Sequence, residues 1–147
     1  MDKSEALALG LSAVLLLVFF VAIIYASTAR GIDVPTCITD PDPFQRGQLI
    51  EHAEDRYEVQ MIAQMWSFQP RRIEIPAGSQ LDIYLRAADI LHGFKIEGTN
   101  INMMAVPGSI NYMQLTFDEP GTYPLICHEY CGVGHHNMRG EIVVTES

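Results

Sequence analysis

Two cysteines, a histidine and a methionine fall within one short run near the C-terminal end of the chain. It reads Cys127-His128-Glu129-Tyr130-Cys131-Gly132-Val133-Gly134-His135-His136-Asn137-Met138, a C-x3-C-x3-H-x2-M pattern. Thiolate, imidazole and thioether are soft or borderline ligands, and together they select copper. Gly132 and Gly134 let the backbone fold tightly around an ion. A mononuclear blue-copper site takes one cysteine, two histidines and a weak axial ligand. The second thiol exceeds that need: two thiolates can bridge two copper ions, each capped by one imidazole. His135 supplies one cap. The other must come from His52, His92, His128 or His136. His92 lies in Leu91-His92-Gly93-Phe94, at a strand edge in apolar surroundings. A buried core histidine is the ordinary reading of such a place, and the need for a second imidazole reverses it. His128 and His136 face away from the site if neighbours alternate, and His52 reads as solvated.

Three other readings bear on the same loop. A Cys127–Cys131 disulfide suits an oxidising compartment but leaves His135 and Met138 without a role. Structural zinc favours C-x2-C pairs and does not use methionine. Met138 as core packing is common for its type, and loses force only beside Cys and His at this spacing. Three cysteines are an odd number, so no complete disulfide framework is implied, and Cys37 stands alone.

The elements that must position this loop follow from period-two patterning. Tyr57, Val59, Met61, Ala63 and Met65 alternate with mostly polar neighbours, which predicts a strand with one buried side. Leu81, Ile83 and Leu85 predict another. Further strands are expected over 90–96, 110–117, 122–127 and 141–145, divided by Glu97-Gly98-Thr99-Asn100, Pro107-Gly108 and Glu119-Pro120-Gly121. The ligand run directly follows one strand and precedes another. Many short strands with Gly/Pro turns, and no long amphipathic helix after residue 30, predict an all-β head: a Greek-key β-sandwich. Residues 31–55, with Pro35, Pro41 and Pro43, read as a connector, and 56–147 as the sandwich domain.

Residues 1–30 differ in kind. No charge occurs from Ala6 to Ala29, and Leu7 to Tyr25 is almost wholly apolar. About 20 helical residues span a hydrocarbon core of roughly 30 Å. The apolar core of a signal peptide is shorter, about 7–15 residues, so a retained single-pass anchor is expected. Lys3 before the run and Arg30 after it leave its orientation open. Residues 31–147 carry 16 acidic and 7 basic side chains. That excess disfavours nucleic acid. It suits either a basic soluble partner or plain solubility.

The head resembles subunit II of the haem-copper cytochrome c oxidases, a cupredoxin-like sandwich with a CuA centre. The resemblance rests on the strand before Pro70, the His92 segment, the Pro107-Gly108 and Pro120-Gly121-Thr122-Tyr123 turns, and the whole ligand loop. It implies two copper ions bridged by Cys127 and Cys131 and capped by His92 and His135. Met138 and the backbone carbonyl of Glu129 are then the weak ligands. The Glu129 side chain is implied as a contact to Mg²⁺ at the boundary with subunit I. A single N-terminal helix and the run from His92 to Asn102 look more like the B-type oxygen reductases. The family places the copper head outside the cytoplasm. It implies a cytochrome c or another small carrier as donor, and haem in subunit I, where oxygen is reduced to water, as acceptor. The family's aromatic segment above the copper usually holds two aromatics two residues apart; here Gln64 occupies the first position and Trp66 the second.

Overall fold

The computed structural model describes residues 2–30 and 44–146, together with the backbone of 36–38. Its contacts separate two units, Met1–Val34 and Pro35–Ser147. The first is one helix, α1 (Lys3–Arg30). Asp2 caps it: its carboxylate accepts from the Glu5 N–H at 2.8 Å, and Glu5 reaches back to the Asp2 N–H at 2.9 Å. Such a reciprocal pair satisfies donors that an α-helix leaves open at its start. The helix has 28 residues and is apolar around its whole circumference. At about 1.5 Å per residue that exceeds the roughly 30 Å of a bilayer core. It is the one helix among the described residues long and apolar enough to cross a membrane.

The second unit carries eleven strands: β1 (Thr36–Ile38), β2 (Gln48–Ala53), β3 (Arg56–Gln64), β4 (Ser67–Gln69), β5 (Arg72–Pro76), β6 (Gln80–Ala87), β7 (His92–Ile96), β8 (Asn102–Ala105), β9 (Ile110–Thr116), β10 (Gly121–Ile126) and β11 (Arg139–Thr145). One sheet runs β1-β9-β6-β3-β2, with β4 also paired to β3. The other runs β5-β11-β10-β7-β8. The β3–β6 and β5–β11 pairs are parallel, which requires crossovers between the sheets.

The alternation read in the sequence is what closes the sandwich. Val59, Met61 and Ala63 of β3 and Leu81, Ile83 and Leu85 of β6 are fully buried. They meet Phe94, Ile96, Leu125 and Ile142 of the other sheet in one core. Phe68 and Phe94 cross it edge to face, 5.5 Å between centroids. Burying each large side chain contributes about 1.5–3 kcal/mol, so this core holds both sheets in register.

The structure adds strands that the sequence reading did not name, β1, β2, β4, β5 and β8, and leaves Met65, expected on the buried side of its strand, exposed in the turn after β3. Gln48–Ala53, inside the segment expected as connector, is an edge strand on β3, and His52 sits on it paired with Glu58 at 2.9 Å. Its side chains are mostly exposed, so it carries little of the alternation that marks a core strand. Pro35, Pro41, Pro43 and the Cys37 side chain lie outside the described residues.

Strand direction defines two ends. β3 and β6 finish, and β5, β7 and β11 begin, at the end where β10 runs into Cys127. His92 opens β7 and Arg139 opens β11, so the residues that could do chemistry gather at that end, all borne by neighbouring strands of one sheet.

Candidate metal centre

Met138 and Cys127 close the ligand loop at its base, where the Cys127 N–H donates to the Met138 carbonyl at 3.2 Å. A single 3-10 turn, His135–Asn137, follows Gly134. Gly132 sits at φ +109°, in the region that a side chain resists. The loop lies directly on β7. A Cβ on Gly93 would stand 2.7 Å from the His128 ring and 2.8 Å from the Glu129 nitrogen. Glycine at 93 is therefore a condition of seating the loop.

Within it, the Cys127 and Cys131 sulfurs are 3.7 Å apart. A disulfide needs about 2.05 Å, and both cysteines are free. Cys131 Sγ lies 3.6 Å from His135 Nδ1 and 3.7 Å from Met138 Sδ. Cys127 Sγ lies 3.2 Å from the Glu129 carbonyl oxygen. A ring nitrogen of His92 and both sulfurs fall within 4.8 Å of one another. The six residues named from the sequence thus converge, the last of them from 35 positions before Cys127. Burial pushes the Cys131 thiol up to about 11, helped by the bond to Cys127, that thiol's charge and Asp89. A metal bound there must displace that proton.

His92 shows what the cluster lacks. It is wholly buried, and its Nε2 bonds Asp89 Oδ1 at 2.7 Å. Its Nδ1 is the one buried side-chain polar atom among the described residues without a partner. A buried nitrogen left so costs about 1–3 kcal/mol, and native structures avoid that unless a ligand completes it. A soft donor set around an orphaned imidazole nitrogen fits copper.

Asp89 was not among the candidates read from the sequence. It also accepts from the Met65 and Ile90 N–H groups, each at 2.7 Å. Burial opposes its charge, but the bonds from His92, Met65 and Ile90 outweigh this and hold its carboxyl below the usual range. Fixing the far nitrogen of a ligating imidazole sets the tautomer that frees the near one. The D-x-x-H spacing was the available signal.

Trp66 is placed against the loop. Its Nε1 donates to the Cys131 carbonyl at 3.0 Å, and a Cβ on Gly134 would stand 2.4 Å from its ring. It remains 43% exposed, so the ring joins solvent to the backbone of a candidate ligand. His128 and His136 are exposed. Glu129 directs its carbonyl to Cys127 and leaves its side chain at the surface.

The profile described as cytochrome c oxidase subunit II, periplasmic domain, matches residues 54–147. The chain belongs to this family. Cytochrome c oxidase subunit 2 of Thermus thermophilus is 41% identical over 105 residues, 71% of this chain and 76% of the relative. A chain of a heme-copper terminal oxidase dimer solved by cryo-EM superposes with a TM-score of 0.84 at 48% identity, over 97% of this chain and all of that one. The crystallised periplasmic domain of subunit II from Bradyrhizobium japonicum, at 20% identity and a TM-score of 0.56, shares the fold over 65% of this chain and 87% of its own. The head is accordingly a cupredoxin-like sandwich. The chain is subunit II of a haem-copper terminal oxidase, an oxidoreductase complex, and the family implies copper.

Proposed function

We propose that His92, Cys127, Glu129, Cys131, His135 and Met138 hold two copper ions as a CuA centre. Through it the chain relays single electrons from a cytochrome c or another small carrier to haem in subunit I, where oxygen is reduced to water. The observation that carries this is the buried, unpartnered His92 Nδ1 beside two unbonded thiols. Copper shared by two thiolates and two imidazoles supplies one-electron chemistry with little change in geometry.

The chain's own residues do the rest. Cys127 and Cys131 present both sulfurs to one space, and the loop base keeps them there. His92 approaches from β7 with its orientation set by Asp89. His135 approaches from the 3-10 turn. Met138 beside Cys131 and the Glu129 carbonyl beside Cys127 would be the weaker donors. The Glu129 carboxylate, exposed beside the site, is our candidate contact to Mg²⁺ at the boundary with subunit I. Helix α1 anchors the chain by a single pass, and the copper head lies on the outer side of the cell membrane. Residues 1–30 act as anchor, 31–55 as connector with β2 added to the sheet, and 56–147 as the CuA domain.

An EPR spectrum and a copper count on the full-length chain loaded with copper test this. Two coppers per chain with hyperfine splitting from two equivalent nuclei are expected. One copper with a blue-copper spectrum would refute the binuclear assignment.

A further inference from the structure

The acidity of the head is not spread evenly. The end remote from the metal centre holds Glu54, Asp55, Glu97, Asp118, Glu119 and Glu146 against Arg56, which opens β3 and is paired with Asp82. At the metal end, Arg46, Arg71, Arg72, Arg86 and Arg139 outnumber Asp89, Glu129 and Glu141. The described head is thus polarised, positive around the site and negative away from it.

The positive charge is concentrated in one cleft of 360 Å³ lined by Arg71, Arg72, Arg139, Gly140 and Glu141. Its walls follow from register. The Glu141 N–H donates to the Arg71 carbonyl at 2.9 Å, and Arg72 lies opposite Glu141 in the β5–β11 pair. Arg72 is satisfied by Glu141 and Glu74. The Arg71 and Arg139 side chains are exposed and have no ion pair or hydrogen bond among the described residues. Arg139 directly follows Met138, and β4 leads from Trp66 towards Arg71. Met65, Trp66 and Val133, all exposed and apolar, lie at the same end of the head. An apolar centre with a charged rim is the anatomy of a transient docking surface.

We infer that this surface docks the electron donor, and that the donor meets it with carboxylates around its redox centre, opposite to what the net charge of the head suggests. The inference rests on the relay function proposed above. A carboxylate-bearing carrier is steered by the positive end, seats an acidic group between Arg71 and Arg139, and brings its redox centre to the Trp66 ring. It gives up one electron, which the metal centre gains. Charge placement of this kind alters encounter rates by tenfold or more at low ionic strength.

Two measurements on complementary preparations test this. In the intact oxidase complex, reduction of the copper centre is followed with the iron(II)–EDTA dianion and with hexaammineruthenium(II) at several salt concentrations. The dianion rate is expected to fall with added salt and the cation rate to rise. R71E/R139E should lower the low-salt dianion rate by about tenfold and reverse both trends. In the full-length chain, which has a single tryptophan, the ratio of iodide to caesium quenching of Trp66 fluorescence should exceed that of the neutral N-acetyltryptophanamide, and R71E/R139E should bring it below that value. This second readout needs no copper. Opposite salt trends, or trends that the variant leaves unchanged, overturn the docking inference even where the quenching result holds. Loss of the R71E/R139E chain from the purified complex also overturns it, by assigning the cleft to a subunit contact. A centre that neither reductant reduces would sink the relay function itself, whatever the quenching shows.

Discussion

The two imidazoles of the candidate centre are held by different means. His92 opens a core strand, is wholly buried, and is braced at Nε2 by a carboxylate that also clamps the β3–β4 turn. His135 is half-buried on a single 3-10 turn, tied by local backbone bonds and by contact with Tyr130. One is placed by the sandwich and the other by the coiling of a loop against Trp66. The strand side should therefore resist disturbance of the loop, and the loop side should yield to changes in packing that leave the sandwich intact.

The largest effect removes what both sides share. Cys131→Ser is expected to lower the copper count from two to at most one and abolish the binuclear EPR signal. Circular dichroism should still report the sandwich, since the change replaces one small side chain at the metal end of the core. Unchanged hyperfine splitting would end the shared-thiolate picture.

Gly134→Ala strikes the loop side alone. The added methyl meets the Trp66 ring, and overpacking of this kind costs about 1–3 kcal/mol. The thermal midpoint should fall, and W66A/G134A should recover part of the loss beyond the sum of the single changes. Additivity would show that the contact does not hold the loop.

Asp89→Asn strikes the strand side. An amide can present its nitrogen to His92 Nε2 and favour the wrong tautomer. Copper affinity in a competition titration should drop by about 10–100-fold, with the spectrum altered through His92. An unchanged affinity would mean that burial alone orients the ring.

Asp82 offers a control remote from both. It is buried on the outer face of β6 and accepts from Arg56, Tyr112 and Gln114. Burial resists its charge, and those bonds outweigh burial and lower its pKa. Its contribution is full above the unfolded value of about 4 and is lost as pH falls through the lower folded value. Asp82→Asn should therefore cost about 1–3 kcal/mol at neutral pH, a deficit that narrows on acidification, with the copper spectrum unchanged. The smallest effect is that of Cys37→Ser, expected to leave the copper count as it was; loss of copper would mean the ligand set is wrong.

The sequence made the loop side more legible than the strand side. Cys127 to Met138 is contiguous, so spacing alone revealed its chemistry. His92 needed an argument from missing ligands and a family resemblance. Asp89 went unseen because its function depends on Met65, 24 positions earlier, and on which ring nitrogen of His92 it reaches. Among the strands, β3 and β6 announced themselves by alternation, and β9 by the turns that bound it. β2 did not, because an edge strand with mostly exposed side chains carries little pattern. The nearness of Arg71 to Arg139 is a matter of parallel pairing between β5 and β11, which no local pattern records.

Every residue expected to touch metal is carried by one sheet, on β7 or between β10 and β11, whereas Trp66 is carried by the other. In the proposed relay, the metal's ligands and the aromatic ring that faces solvent beside them therefore belong to different sheets. Under the proposed relay, a change on the exposed face of the β3–β4 turn that keeps the Met65 N–H bond to Asp89 and the Trp66 bond to Cys131 would alter which carriers are served and leave the ligands in place.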